Sequence, residues 1–279
     1  MQVQFHADDF CLTKKISSRL LEISKKGRIG SVSCIVNTID IVPSLKKISK
    51  LKKKIKLHLH LNLIDGKPLS KNLKKIVDSK NYFNMSFIKL FLIGILPGFS
   101  IHKLEIEKEI EQQIKYFLKC INLASKTKKN VLYLDSHLHI HTIPWLLDII
   151  LKLRKKYNIV FIRSLDEPFI LSSVTNFSKF WFYKNIIKFV ILKSFNIFNK
   201  KKLLKNKINT NKFFFGIINS GYMDQIYVKK VKKFNMKNCQ ILIHPVIADK
   251  KEHYLLGKKE KIYYFLSKQR SIEQRLAIK

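Results

Sequence analysis

Apolar and polar positions along this chain switch repeatedly between two periods. Leu12 to Lys26 carries Ile16, Leu20 and Ile23 at near-helical spacing, with Gly27 as a stop. Ser31 to Val36 is β-branched and predicts a strand. Pro43 to Leu51 predicts a short helix with proline near its first turn. Lys54 to Leu61 alternates basic or His residues with apolar ones, as a strand does. A turn follows at Asp65-Gly66-Lys67-Pro68. Phe87 to Leu96 is an apolar helix broken by Pro97-Gly98. Leu104 to Leu123 is the clearest amphipathic helix, apolar through Ile106, Ile110, Ile114, Phe117 and Ile121.

The second half repeats the unit. Val131 to Leu134 and Ile159 to Ile162 predict strands on either side of a helix from Trp145 to Tyr157, entered through Pro144. Phe177 to Phe198 predicts a long aromatic, lysine-studded helix, and Lys200 to Lys212 predicts a loop. Phe213 to Ile217, Asp224 to Phe234 and Gln240 to Ile243 read as strand, helix and strand. Gln2 to Phe5 supplies a first strand ending in His6-Ala7-Asp8-Asp9. About seven strands alternating with helices predict an α/β fold with mainly parallel strands, near the eight of a closed barrel. Polar residues gather at the C-terminal strand ends: Asp8 and Asp9, His60, His137, Arg163 and His244. In a parallel α/β barrel the active site lies there.

The densest chemistry is Asp135-Ser136-His137-Leu138-His139-Ile140-His141. In extended backbone its three imidazoles share one face, with Asp135 and Leu138 turned elsewhere. Three histidines in period two with an Asp at the head favour a metal or catalytic site over structural hydrogen bonding. Asp8 and Asp9 would face opposite ways in regular strand. One can bind a metal while the other acts on water only if the backbone turns there. A turn or helix cap is the plainer role for the pair, with Thr13 as the alternative cap. His58 and His60 share a strand face.

Composition changes this picture little. The chain has 279 residues, 46% of them apolar, enough for one large core. Its formal charge of +36 invites a nucleic-acid reading. Nearly all of that charge is lysine, however, and specific base recognition favours arginine. The excess reads mainly as solvated lysine faces that also attract anionic surfaces, with no specific nucleic-acid partner. Cys11, Cys34, Cys120 and Cys239 lack a paired spacing, which predicts reduced thiols. The first residues read as strand and loop, not a signal peptide, and no apolar run reaches the roughly 18 residues of a spanning helix. The expectation is a cytoplasmic protein.

Three motifs together resemble the YdjC-like carbohydrate deacetylases, which include chito-oligosaccharide deacetylases. They are His6-Ala7-Asp8-Asp9-Phe10, Leu59-His60-Leu61-Asn62-Leu63 with Gly66-Lys67-Pro68-Leu69, and the three-histidine block with Pro144. Arg163 with Glu167-Pro168, and Ile243-His244-Pro245, add to the likeness. The resemblance implies one domain over residues 1–279, a distorted (β/α) TIM-like barrel with a helical, lysine-rich excursion at about 171–212. It implies removal of N-acetyl groups from amino sugars with one divalent ion, magnesium or zinc, and a homodimer. It assigns Asp9, His60 and His137 to the metal, Asp8 as base and His244 as acid. His139 and His141 would orient His137 or contact substrate. Arg163 would hold a sugar hydroxyl, a phosphate or Asp8, or else pair with Glu167. Two departures touch loop geometry: Cys11 and Val246 stand where the family usually has glycine. If position 11 needs positive φ, cysteine strains it.

Two rival readings are another metallohydrolase, such as a phosphoesterase, and a non-enzymatic basic binder of membranes or nucleic acid. Between Phe177 and Phe198 an aromatic face beside Lys184 and Lys188 also predicts contact with a membrane interface. That would place the protein peripherally at the inner face of the membrane, with a lipid-linked glycan as substrate.

Overall fold

The computed structural model describes residues 5–125, 131–172, 179–234, 238–249, 251–252 and 266–278, with only the helical backbone described at 179–181. Seven strands form one sheet: β1 (Phe5–Phe10), β2 (Ile29–Cys34), β3 (Lys56–Leu61), β4 (Leu132–Ser136), β5 (Ile159–Ile162), β6 (Phe213–Phe215) and β7 (Cys239–Ile243). Their order is β5-β4-β3-β2-β1-β7-β6, and every pair is parallel. The sheet curls as a TIM-like barrel does, and among the described residues it stays open between β5 and β6. A bridge from Phe161 to Asn209 is the pairing described across that gap.

The helices are α1 (Lys14–Lys26), α2 (Val42–Ser49), α3 (Phe87–Ile95), α4 (Ser100–Ala124), α5 (Pro144–Leu153), α6 (Lys179–Lys205), α7 (Gln225–Val231) and α8 (Gln269–Ile278). Thr13 caps α1 by accepting from the Ile16 amide, the capping role foreseen for it. Asp224 caps α7 in the same way.

Two predicted boundaries change. The segment expected as a loop from Lys200 is helical through Lys205, because Asn199 and Leu203 anchor that end of α6 and lysine is a good helix former. The first strand continues past its predicted end at Phe5 through Phe10, so His6, Asp8 and Asp9 lie within β1, while Gln2 to Gln4 lie outside the described residues. Residues 177 and 178 of the predicted long helix also lie outside them.

Period two decides what each strand shows to either side. Phe5, Ala7, Leu59, Leu61, Leu132 and Leu134 are buried in the apolar core. The alternate positions His6 and Asp8, Ser31 and Ser33, His58 and His60, and Asp135 meet inside the curl. An interior of imidazoles and carboxylates replaces the Val, Ile and Leu layers usual in such barrels.

Candidate active site

Local backbone geometry makes the site. Asp9 has φ 64° and Cys11 φ 69°, so β1 turns at its C-terminal end instead of running straight. That turn frees Asp9 from the opposite-face rule, and its carboxylate joins the residues lining the same cavity as Asp8. Cysteine therefore does occupy a left-handed position, which costs about 1–2 kcal/mol for an L-residue.

The three-histidine block is not extended. β4 ends at Ser136, and His137–Thr142 forms a tight turn with Leu138 at φ 52° and His139 at φ 60°. The Ser136 hydroxyl ties that turn, bonding the His141 ring at 2.6 Å and accepting the His141 amide at 2.8 Å. Two left-handed residues in succession break the alternation, so the three rings do different things.

His137 Nδ1 lies 3.1 Å from Asp9 Oδ1, and its Nε2 lies 2.9 Å from Asp65 Oδ2. His60 Nδ1 lies 2.6 Å from Asp135 Oδ1, which leaves Nε2 facing Asp9 Oδ1 at 3.7 Å and Asp8 Oδ2 at 3.8 Å. Each imidazole thus has a carboxylate behind it and the Asp9 carboxylate before it, the arrangement that sets tautomer and aim in metal-binding histidines. One ligand atom from each of Asp9, His60 and His137 lies within 4.8 Å of the others. A carboxylate and two imidazoles with that spacing fit one divalent ion of zinc-like preference. Two other groups, His6-His58-Asp135 and Asp8-His60-Asp135, meet the same spacing. Both share Asp135, whose Oδ2 is 2.7 Å from the Arg163 guanidinium, and that charge opposes a cation there.

Arg163 is fully buried and holds Asp8 with two bonds of 2.9 and 2.7 Å. It also reaches Asp135 at 2.7 Å and Gln240 at 3.0 Å. Of the roles expected for it, the structure gives it the one toward Asp8. Glu167 instead accepts from the amides of Gly216 and Ile217 at 2.9 and 2.8 Å and lies 3.2 Å from the Tyr227 hydroxyl.

His141, expected beside His137 or substrate, spends both ring nitrogens on protein: Ser136, and the Arg163 carbonyl at 3.0 Å. His139 lines the cavity edge-on to Phe214, and its Nδ1 has no hydrogen-bond partner among the described residues. His244 lies across the site, with Nε2 3.7 Å from Asp9 Oδ2 and its amide donating to Glu273 at 2.6 Å. Asp8, Asp9, His60, His137, His139 and His244 line one end of a cavity of about 460 Å³, whose other walls come largely from α3 and α6.

Burial works against every charge here, and the partners decide the outcome. Burial is the largest influence on Asp8 and Asp135 and raises both, but Arg163 and the histidines beside each carboxylate together outweigh it and hold both well below the usual carboxylate range. Asp9 is raised by burial and lowered more by His137, His244 and His60 together. Burial disfavours the charged form of His137, yet Asp9 and Asp65 together hold it up to about 9, so a cation entering the site displaces a proton. Burial brings His244 down to about 4, against the pull of Asp9.

Sequence reasoning missed Asp65 and Glu273. Asp65 was read only as part of a turn. Asn62 builds that turn by accepting the Ile64 and Asp65 amides at 3.0 Å each, which aims Asp65 at His137. The signal was an acidic residue in the loop after the strand carrying His60. Glu273 reaches His244 from α8, far along the chain, and no local pattern marks it.

Known proteins resemble this chain in sequence and in fold. A protein named carbohydrate deacetylase from Oceanobacillus iheyensis is 27% identical over 57% of this chain and 63% of its own length. One of the same name from Clostridium beijerinckii is 26% identical over 57% and 58%. The matched stretch is thus under two thirds of these relatives' length. A third, from Thermoanaerobacter pseudethanolicus, is 29% identical over 66% and 70%. In fold, the chain resembles a crystal structure from Enterococcus faecalis, described as a cellobiose-phosphate cleavage protein, with TM-score 0.64 and 17% identity over 99% of this chain and 90% of that one. The model of the YdjC-like protein family matches residues 2–276, and with the Asp8-Asp9 turn, His60 and His137 gathered at one barrel end, the chain belongs to that family.

Proposed function

We propose that this protein is a metal-dependent hydrolase that removes an N-acetyl group from an amino sugar and releases acetate. The observation that carries the reading is the split of the Asp8-Asp9 pair. One carboxylate is locked to Arg163 and the other faces His60 and His137 across one cavity.

Asp9, His60 and His137 would hold one divalent ion, and the nitrogen-rich donor set suits zinc better than magnesium. Such an ion, when bound, supplies Lewis acidity toward water and the amide carbonyl. Asp8 accepts the proton of the attacking water at a carboxylate oxygen, and Arg163 keeps that carboxylate ionised and aimed. His244 delivers a proton from Nε2 to the departing sugar amine. Its burial keeps it neutral at rest, and negative charge developing on the amide oxygen nearby favours its protonated form as the bond breaks. The proton that Asp8 takes from water passes to His244 as the amide oxygen gains charge, and from there to the amine, so no net proton is taken up. His139, with an unpartnered Nδ1 on the cavity wall, is placed to meet substrate.

Metal analysis together with acetate release from a panel of N-acetylated sugars tests the reading. Asp8→Asn should retain metal and lose about a hundredfold or more of turnover, because an amide cannot accept the proton. Asp9→Asn and His137→Ala should lose the metal itself. Acetate release from no N-acetyl sugar by metal-loaded protein would sink the reading, and metal retention by Asp9→Asn would reverse the two aspartate roles.

A further inference from the structure

Helix α6 is turned inside out. A helix on a soluble domain buries its apolar stripe and shows its polar face to water. Among the described side chains of α6, three of the five buried positions are asparagine: Asn185, Asn196 and Asn199. Each is spent on the barrel. Asn185 donates to the Ile218 carbonyl at 2.9 Å, Asn196 accepts from Ser164 at 2.9 Å, and Asn199 donates to the Thr142 carbonyl at 2.6 Å.

The outward face is apolar. Tyr183, Ile187, Val190, Ile191, Ile197 and Phe198 are all exposed, Ile187 by 61% and Phe198 by 68%. At about 100° per residue these six fall within an arc of roughly 120°, an apolar stripe interrupted at Ser194. Lys184 and Lys188 border it on one side and Lys193 and Lys200 on the other. Helix α3 extends the surface: Phe87 and Phe91 both meet Phe195 of α6, and Ile88, Ile95 and Leu96 are exposed.

This surface runs into the site. Ile88, Ile187 and Ile191 are exposed and also line the cavity that holds Asp8, Asp9 and His244. Lys184 and Lys188 lie on that same cavity wall. The mouth of the site is therefore an apolar lip edged with positive charge.

We propose that the α3–α6 face docks on an anionic lipid surface and that the cavity takes its N-acetyl amino sugar from a lipid-linked glycan held there. The substrate half of this rests on the deacetylase reading above. Charge selects the occupant: two copies that each carry +36 repel, whereas an anionic bilayer attracts the lysines while its acyl region receives the stripe. No helix among the described residues is long and apolar enough to cross a membrane, so the stripe would lie in the interface plane.

The test is flotation of the intact protein with phosphatidylcholine vesicles, with or without phosphatidylglycerol, at physiological salt. Acetate release is measured in parallel from soluble N-acetylglucosamine oligomers and from octadecyl N-acetylglucosaminide held in the vesicles. Wild type should float with the anionic vesicles only. V190D/I197D/F198D changes exposed positions away from the cavity. It should stay in the dense fraction, keep soluble turnover, and lose about tenfold or more on the vesicle-held substrate. Lys200→Glu, at the border of the stripe, should weaken flotation in the same direction.

Wild type that fails to float overturns the proposal, as does equal turnover of the vesicle-held substrate by wild type and the triple variant. A wild-type dimer that the triple variant abolishes also overturns it, by assigning the face to a second copy. Flotation without acetate from either substrate supports the docking and removes the deacetylase reading from beneath the substrate half.

Discussion

Replacing Arg163 by methionine removes one charge from the middle of the barrel and keeps most of the side-chain volume. The guanidinium bonds Asp8 twice, Asp135 once and Gln240 once, and it is fully buried. Taking away one partner of a buried ionic group costs about 3–5 kcal/mol, because the charges left behind have neither water nor a counter-ion. With an unfolding entropy of about 2.1 cal/mol/K per residue, a chain of this length loses roughly 5–9 °C in melting temperature. The pH dependence is the sharper signature. In the wild type, Asp8 and Asp135 sit well below their ordinary values, so their stabilisation is present above about pH 4 and is lost only in stronger acid. Without Arg163, burial of the two carboxylates meets much less opposition and both move upward. These two carboxylates then cost the variant stability as pH rises from about 4 toward neutrality, a loss they do not cause in the wild type. The gap between the two proteins should therefore widen across that window in urea melts read by circular dichroism. A gap under about 1 kcal/mol at pH 7, or one that stays constant from pH 4 to 7, would refute the view that Arg163 holds two ionised carboxylates.

Asp65→Asn should weaken zinc binding by about 10–100-fold in calorimetric titration while leaving Asp9, His60 and His137 in place, since it removes the carboxylate behind His137. Unchanged affinity would make Asp65 a turn residue only. Cys11→Val puts a β-branched side chain at φ 69° and should destabilise by about 2 kcal/mol in denaturant melts. Cys11→Gly relieves the strain at the cost of a buried thiol and should stay within about 1 kcal/mol of wild type. The reverse order would show that the left-handed turn after Asp9 is not required.

Element types could be read from the sequence because the core uses simple periods. Helix α4 was legible from Ile106, Ile110, Ile114 and Phe117, which are all buried. Strand β3 was legible from the alternation in Lys-Leu-His-Leu-His-Leu, even though its polar positions turned out to face the barrel interior and not water. The end of α6 misled for a physical reason. The Lys/Asn composition after Phe198 looks like loop, but Asn199 is a buried anchor and the lysines around it are helix formers on a solvated face. The open edge between β5 and β6 had no local signature, since strand closure depends on distant pairing.

The site divides in the same way, and the division has one cause. Asp8, Asp9, His60, His137 and His244, to which the family resemblance gave the metal and proton-transfer roles, all line the cavity, with His139 beside them. What spacing misjudged was direction. Period two holds only while the backbone stays extended, and it fails at Asp9 and again at Leu138 and His139, all with positive φ. Those departures split Asp8 from Asp9 and separate His137 from His139 and His141. Had the three-histidine block stayed extended, its rings would share one face, and no reason would single out the first. The turn presents His137 between Asp9 and Asp65 and sends His141 back to the barrel wall, where it holds the carbonyl of Arg163. Chemistry that needs both a metal and a separately charged base cannot be built on a regular strand from adjacent aspartates. The strained residues are therefore the structural condition for the two roles proposed above, and the cost of about 1–2 kcal/mol at each of Leu138 and His139 is offset in part by the hydrogen bonds that Ser136 supplies to their turn.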